Sequence, residues 1–362
     1  MKISKLYANN DTFKTIEFDK GINFILSNID GVGKSSLFKL IDFCLLGDKH
    51  FLGQEHFKDY IFYIELQISS NRYITIKRPT VGGKNIELKI TKQKSMLLDE
   101  KDFNKKGSIG IAKSFFENKA NYSINKFRTY ITYFLRDENN QSDVFILNKH
   151  SSSHEIEYKT LISNLLGIDG RKIRKKYELD EIIKNEDTES TRLKNAQNDL
   201  EKVIEENKTL ISSRFIDRLK DSITKYGYMI LDKEITFLID LNTSNDIEFS
   251  IKVENDEESN VNLNNDSTIK KLLCLIFASA LAETYAQKRL IKFVAFDSPF
   301  NGDKNSYENG IYRAIHELHR KGIQTIITSN ENDINNSKIL LEIKDEFTTG
   351  YLCNDDKLMG DF

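Results

Sequence analysis

The sequence is poor in the residues that mark secreted, fibrous and membrane-spanning proteins. Its 362 residues include two prolines, three cysteines and no tryptophan. Cys44, Cys274 and Cys353 are odd in number and widely spaced, which is typical of buried thiols in a reducing compartment and unlike a disulfide framework. No uncharged apolar run approaches the roughly 18 residues of a transmembrane helix, and residues 1–24 lack a signal-peptide pattern. We therefore expect a cytoplasmic protein with no membrane partner.

An excess of charge of either sign is also missing. Lys and Arg total 53 against 55 Asp and Glu, which gives a net charge of -2. No bulk basic field indicates nucleic acid, so a DNA surface would have to be local, and charge alone neither supports nor excludes one. The 39% hydrophobic content is enough for a sizeable core, and no Gly/Ser-rich stretch separates independent domains. Function must therefore be sought in local motifs.

Most of the chain alternates between strand and helix patterns. Three β-rich runs between residues 60 and 91 predict an antiparallel meander, and the succession of strand, helix and strand over 291–329 predicts a parallel βαβ unit. The predicted strands are 2–7, 13–18, 21–27, 60–68, 72–78, 85–91, 238–242, 247–253, 291–296, 323–329, 339–343 and 350–353. The predicted helices are those after Gly33 and at 109–118, 123–136, 158–166, 267–287 and 306–320.

Composition shifts after Gly170. Residues 171–212 are highly charged, lack Gly and Pro, and carry single apolar positions spaced three, four and seven apart. This pattern predicts a short antiparallel coiled-coil hairpin that turns at 185–191, and a surface helix pair packed on the rest of the protein remains the alternative. The resulting division is 1–167 for an N-terminal half, 168–213 for the hairpin and 214–362 for a C-terminal half.

A phosphate-binding loop is predicted between the strand 21–27 and the helix that follows it. The helix has apolar residues at i, i+3, i+4, i+7 and i+8, with Gly47 where a left-handed C-terminal cap belongs. In the loop, backbone amides would wrap phosphates, Lys34 would bridge the β- and γ-phosphates of ATP, and Ser35 would bind Mg²⁺. The predicted nucleotide-binding residues are Asn28, Asp30, Gly31, Val32, Gly33, Lys34, Ser35 and Ser36.

One position departs from the usual Walker A pattern. Asn28 stands where the first glycine is expected, and asparagine is the residue that next best tolerates a left-handed backbone. A chance Gly-Lys-Ser at a helix start is the alternative to a phosphate loop. The strand before the loop and the amphipathic helix after it favour the phosphate loop.

The strand 291–296 delivers Asp297, as a Walker B strand delivers a carboxylate to Mg²⁺ and water. A strand-ending aspartate in the turn before Pro299 is the alternative. The order of the motifs favours the Walker B interpretation, because a Walker A loop near the N-terminus and this strand near residue 297 flank a segment with a coiled-coil pattern.

In this order and in several segments the sequence resembles a bacterial family of SMC-like (RecF/SbcC-type) ABC-class ATPases that is often found among defence-associated genes. The resemblance touches both halves of the chain. The segments that carry it are LIDFCLLG (40–47), FKDYIFYIEL (57–66), YITIKRP (73–79), FRTYITYFLRDENNQSDVFILNK (127–149), LISNLLGIDGRKIRKKYELDEI (161–182), STIKKLLCLIF (267–277) and GIQTIIT (322–328).

This resemblance implies an α/β fold: a P-loop ABC-type ATPase head, with a mixed central sheet, an antiparallel β-lobe and an inserted coiled-coil hairpin. It implies ATP and Mg²⁺ as cofactors, with Ser267 in the signature loop, Gln141 in the Q-loop and Asn330 at the switch position. In such ATPases two heads sandwich two ATP molecules, so a homodimer is implied. From the residues alone, Ser267 is equally a plain helix N-cap.

Two residues depart from the family pattern. Ser298 follows Asp297 where most heads carry a glutamate base, and Asn330 replaces a histidine, so hydrolysis should be slow or use Asp303 or Glu331. We expect an ATPase that engages DNA or a partner effector, with antiviral defence as its setting. The alternative is a nearly non-hydrolytic module that controls a nuclease or toxin. A basic run over 171–176 is either a DNA contact or a solvated helix face.

Overall fold

The fold is described from a computed structural model of the chain. It contains a five-stranded antiparallel sheet, a five-stranded parallel sheet, a two-stranded hairpin and the helices around them. The description covers residues 1–27, 33–47, 57, 59–81, 86–95, 97–103, 124–147, 155–185, 191–210, 213–253, 267–286, 291–299, 307–330 and 347–351. The helix predicted at 109–118 and the strand predicted at 339–343 lie outside these residues.

The antiparallel sheet is the predicted meander with two strands added at its edge. Its order is β2-β1-β4-β5-β6, and consecutive residues of β1, β4 and β5 are buried, so both faces of its centre are covered. The strands are β1 (Lys2–Ala8), β2 (Ile16–Glu17), β4 (Ile61–Ser69), β5 (Arg72–Pro79) and β6 (Glu87–Thr91).

The parallel sheet is assembled from both ends of the sequence. Its order is β12-β3-β11-β10-β7 and every pairing is parallel, so the carboxyl ends of all its strands lie at one edge. The strands are β3 (Ile22–Ser27), β7 (Leu135–Arg136), β10 (Phe293–Asp297), β11 (Gln324–Asn330) and β12 (Phe347–Tyr351). The βαβ unit predicted over 291–329 is confirmed.

Helices cover these sheets. Helix α1 packs against strands of both sheets, and α8 packs against β3 and β11. The described helices are α1 (Lys34–Cys44), α2 (Ile124–Phe134), α3 (Glu155–Leu165), α4 (Gly170–Asn185), α5 (Thr191–Leu210), α6 (Arg214–Leu231), α7 (Ser267–Ala286) and α8 (Glu308–Arg320). None of them is both long and apolar enough to cross a bilayer.

Helices α4 and α5 lie side by side where the sequence predicts a hairpin, and most of its predicted turn at 185–191 lies outside the described residues. Lys172 near the start of α4 pairs with Glu206 near the end of α5 at 2.6 Å, so the two helices run antiparallel. A small apolar cluster of Leu179, Ala196 and Val203 lies between them. Beyond that cluster the outer faces are charged, which explains why the sequence reads as solvated helix.

The C-terminus of α1 corrects one prediction. Gly47 does not adopt the left-handed conformation. Leu46, the residue before it, does so at φ 75°. Gly47 closes the turn instead, and its N–H donates to the carbonyl of Asp42 at 2.7 Å. A Cβ on Gly47 would lie 2.6 Å from that carbonyl oxygen, so the position requires glycine for close approach and not for its φ.

Two further differences concern elements that the sequence patterns did not predict. Helix α6 carries buried Ile216, Leu219, Ile223 and Ile230 on one face, packs on α7 and α8, and begins after a Ser213 N-cap. Residues 135–136 were expected to continue a helix, but they form β7 because they pair with β10.

Two further strands form a separate antiparallel hairpin, β8 (Ile235–Leu241) and β9 (Ile247–Val253). Cys44 and Cys274 are buried free thiols, as predicted, whereas Cys353 lies outside the described residues.

Candidate nucleotide site

The described part of the phosphate loop has the expected backbone shape. Gly33 adopts a left-handed conformation at φ 97° and caps α1, whose first hydrogen bond joins Leu37 N–H to the Gly33 carbonyl at 2.9 Å. Ser35 and Ser36 occupy the first turn and are partly exposed. The other predicted loop residues, Asn28, Asp30, Gly31 and Val32, lie outside the described residues. A helix N-terminus at this edge of the sheet favours bound anions.

The ammonium group of Lys34 lies between the ends of two strands. It donates to Ser27 Oγ at 2.7 Å and to Asn330 Oδ1 at 2.6 Å. Ser27 ends β3 and Asn330 ends β11, and the two residues are directly paired in the sheet register. The structure thus places the predicted switch residue beside the predicted Walker A lysine.

Asp297 ends β10 at the same edge and is 2% exposed. Its Oδ1 accepts a hydrogen bond from the Thr328 hydroxyl at 2.6 Å. Its Oδ2 has no hydrogen-bond partner among the described residues, although it is buried. A buried carboxylate oxygen without a partner costs free energy unless a cation or a donor reaches it, so this oxygen fits a Mg²⁺ ion or the water bound to one.

Ser298 turns the chain away from the sheet immediately after Asp297. It has a left-handed backbone at φ 48°, and its N–H donates to the carbonyl of Thr328 at 3.2 Å and to the Thr328 hydroxyl at 3.0 Å. Its hydroxyl lies 3.4 Å from Asp297 Oδ1. The group after Asp297 is therefore a neutral hydroxyl beside the carboxylate, and it offers no base at pH 7.

Gln141 is brought to Asp297 by the loop that follows β7. Its amide nitrogen donates to the carbonyl of Asp297 at 3.0 Å and to that of Arg136 at 3.1 Å, and the side chain is buried. Both N–H donors are thereby used, which leaves the side-chain oxygen, a ligand type that Mg²⁺ prefers.

Arg136 holds this loop in shape. The side chain is completely buried, and it donates to the carbonyls of Asn140, Asp143 and Val144 at 2.8, 3.3 and 2.8 Å. These carbonyls lie on either side of Gln141, so the guanidinium fixes the path of the chain around it. Arg136 itself ends β7, next to Phe296 in the sheet register.

A second carboxylate lies at this edge. Asp137 follows β7 as Asp297 ends β10, and Asn140 donates to Asp137 Oδ1 at 2.6 Å. Burial raises the pKa of Asp137 above its ordinary value. Asp42 and Asp297 add to the rise through charge repulsion, against the opposing hydrogen bonds from Asn140. Asp42 is itself paired with Arg128 at 2.8 Å.

Of the remaining predicted residues, only Ser267 is among the described ones. Ser267 is exposed at the start of α7, a helix that is otherwise mostly buried. Asp303 and Glu331, the candidate substitute bases, lie outside the described residues. The roles assigned to all these residues stay predictions.

The site residues that the sequence patterns did not predict include Ser27, Thr328 and Arg136. Ser27 and Thr328 had a usable signal, because a hydroxyl residue at or near the carboxyl end of a buried parallel strand lies at the ligand edge of the sheet. Arg136 had none, since its role depends on a loop folding back around it.

The basic run at the hairpin root is largely neutralised within the chain. Lys176 is 3% exposed and pairs with Asp180 at 2.7 Å and Asp246 at 2.5 Å. Arg171 pairs with Asp169. Among the residues of the run, Arg171, Arg174 and Lys175 are exposed.

The fold is similar to that of solved SMC head domains. A head domain with an extended coiled coil from Pyrococcus furiosus, bound to the C-terminal domain of ScpA, has a TM-score of 0.50 and 15% identity over 92% of this chain and 90% of that chain. A head domain with a coiled coil and joint from Pyrococcus yayanosii has a TM-score of 0.49 and 12% identity over 90% of this chain and 92% of that chain. No protein-family profile and no curated protein sequence matches the chain. The chain thus has the fold of an SMC head domain.

Proposed function

We propose that the chain is an ATP-binding, slowly hydrolysing SMC-like ATPase whose heads dimerise around Mg-ATP. One observation carries the proposal: Lys34, Gln141, Asp297 and Asn330, which are far apart in the sequence, lie at the carboxyl edge of one parallel sheet. This edge is where open α/β sheets bind ligands. The left-handed Gly33 before α1 adds a phosphate-binding helix start to it.

Each residue has a chemical role in this proposal. Lys34 leaves Ser27 and Asn330 to contact the β- and γ-phosphates, because phosphate oxygens attract an ammonium more strongly than neutral oxygens do. Ser35 and Asp297 hold Mg²⁺, with the Gln141 oxygen beside them. Bound Mg²⁺ would neutralise the charge that develops on the phosphates. The unpartnered Oδ2 of Asp297 fits this role.

A second candidate function is favoured by Ser298. The hydroxyl next to Asp297 cannot accept the proton of an attacking water, and Asp303 is the substitute base that we propose. If Asp303 does not serve, the chain is a nucleotide-gated regulatory module that controls a separate nuclease or toxin. The two functions share the nucleotide site and differ in turnover.

Dimerisation is proposed to pass through Ser267, which is exposed at the N-terminus of α7 and so can reach a second head. Its hydroxyl and the helix amides would meet the γ-phosphate held by the partner subunit. DNA or an effector protein would bind the dimer, in keeping with a defence setting. The Pyrococcus furiosus head domain is bound to the C-terminal domain of ScpA, which gives a precedent for a protein partner.

Calorimetry and turnover assays together test the proposal. Binding of Mg-ATP with turnover that DNA stimulates would support the ATPase, whereas binding with no measurable turnover would support the regulatory module. Sedimentation with and without ATP reports dimerisation. A chain that binds no ATP at millimolar concentration would overturn both functions.

A further inference from the structure

We propose that Thr328 is a positioning residue for the Mg²⁺ site, fixing Asp297 so that one carboxylate oxygen is held and the other is offered to the ion. The inference rests on the proposed function and deepens it. Thr328 lies on β11, two residues before Asn330, and is completely buried. It is not proposed to touch ATP or Mg²⁺.

The hydroxyl of Thr328 makes two hydrogen bonds of opposite sense. It donates its single proton to Asp297 Oδ1 at 2.6 Å, and it accepts from the N–H of Ser298 at 3.0 Å. Asp297 and Thr328 are also direct partners in the register of β10 and β11. Because its one proton is used on Oδ1, the hydroxyl cannot also serve Oδ2.

One of these bonds acts on the side chain of Asp297 and the other on the backbone that follows it. The bond to Oδ1 fixes the side chain, and the bond from Ser298 fixes the left-handed turn that begins immediately after it. Gln141 holds the Asp297 carbonyl from the other side at 3.0 Å. Oδ2 is thereby left as the buried oxygen without a partner among the described residues.

A second threonine on the same strand separates this role from ordinary packing. Thr325 is also completely buried on β11, but its hydroxyl has no hydrogen-bond partner among the described residues. Replacing either threonine by valine keeps the β-branched shape and removes only the hydroxyl. Both substitutions therefore remove a hydroxyl from the same strand. The hydroxyl of Thr328 makes two hydrogen bonds, whereas that of Thr325 makes none with the described residues.

The experiment measures ATP affinity by calorimetry in Mg²⁺ and in EDTA, and the Mg²⁺ concentration for half-maximal binding. For Thr328→Val we expect that concentration to rise about tenfold, since a hydrogen bond to a charged group is lost, while ATP affinity in EDTA is unchanged. Thr328→Ser keeps both hydrogen bonds and should stay within about threefold of the wild type. Thr325→Val should match the wild type in both buffers, and thermal unfolding checks that each variant is folded.

An unchanged Mg²⁺ requirement in folded Thr328→Val would overturn the inference. So would an equal loss of affinity in Mg²⁺ and in EDTA, because that pattern indicates general damage to the site. If Thr328→Val fails to fold, Thr328→Ser and Thr328→Cys decide the matter, since serine restores the strong donor and cysteine supplies only a weak one. A wild-type chain that binds no ATP would instead refute the proposed function itself.

Discussion

Lys34 and Asn330 are 296 positions apart in the sequence, yet the ammonium of one donates to the amide oxygen of the other at 2.6 Å. The contact exists because β3 and β11 are neighbours in the parallel sheet. The Lys34 ammonium is thereby held at the carboxyl edge of the sheet by hydrogen bonds to uncharged oxygen atoms. Since a hydrogen bond to a phosphate is stronger than one to an amide, a nucleotide is expected to displace Asn330 from Lys34.

Replacement of Lys34 by alanine tests the phosphate loop. The change removes the charge that offsets phosphate repulsion, so calorimetry should show ATP affinity falling at least tenfold, which is about 1.4 kcal/mol. Lys92→Ala, at an exposed lysine in a turn, is the control and should bind as the wild type does. Unchanged affinity in Lys34→Ala would exclude this loop as the phosphate site.

Ser267→Arg tests the ATP-sandwiched dimer. A long cation at the exposed start of α7 should clash with the partner head, so ATP should no longer convert monomer to dimer in sedimentation, while ATP affinity stays within about twofold. Ser250→Arg, at an exposed serine on β9, is the matched control and should dimerise normally. A Ser267→Arg protein that still dimerises on ATP would contradict the proposed interface.

Asp297→Asn tests the metal-binding carboxylate. The substitution preserves the shape but removes the charge, so Mg²⁺-dependent turnover should be abolished. The wild-type rate itself should lie below about 1 s⁻¹, at the low end of enzyme rates, because Ser298 supplies no base. Asp303→Asn should abolish turnover only if Asp303 is the base. Full activity in Asp297→Asn would remove this residue from the mechanism.

Ser298→Glu tests whether the residue after Asp297 occupies the position of the catalytic base. The position already has a left-handed backbone with a non-glycine residue, so glutamate adds little backbone strain. A carboxylate beside Asp297 should leave turnover equal or higher in a phosphate-release assay. A marked loss of turnover with ATP binding preserved would mean that Ser298 has a different role.

Replacement of Asp137 by asparagine should stabilise the fold in a pH-dependent way. Because burial and the neighbouring Asp42 and Asp297 raise its pKa in the folded protein, the unfolded chain releases this proton first as the pH rises. The ionised group therefore destabilises the fold at neutral pH. We expect Asp137→Asn to raise the urea midpoint at pH 7 and to lose this advantage towards about pH 4, the ordinary aspartate range.

Asp240→Asn, at an exposed carboxylate on β8, is the control for that comparison. It should change the free energy of unfolding by no more than about 0.5 kcal/mol at either pH. A neutral or destabilising effect of Asp137→Asn at pH 7 would show that Asp137 gains a compensating interaction in the folded protein.

The elements that sequence patterns predicted well are those set by local chemistry. Helix α1, the meander and the unit from β10 to β11 follow from apolar periodicity and turn residues, and the SMC-like head fold follows from the order of the motifs. Helix α6 also has apolar residues at helical spacing, but it directly follows the charged segment and is not among the predicted helices. The division at 168–213 stays a prediction.

Other features depend on contacts that no local pattern reports. Strand β7 is two residues long and exists because it pairs with β10. The conformation at Gly47 depends on the carbonyl of Asp42, which left Leu46 to take the positive φ. The partners of Lys34 and Asp297 come from β3 and β11, so only the folded sheet brings Ser27, Asn330 and Thr328 to them.

The strand order of the parallel sheet also governs how the chain can be divided. Strand β3, from the first half, lies between β11 and β12, both from the second half, so neither half can complete this sheet alone. The connection between the halves runs through the hairpin of α4 and α5, which projects charged faces. A chain cut within the hairpin should therefore behave as two complementary fragments that regain the nucleotide site only by associating.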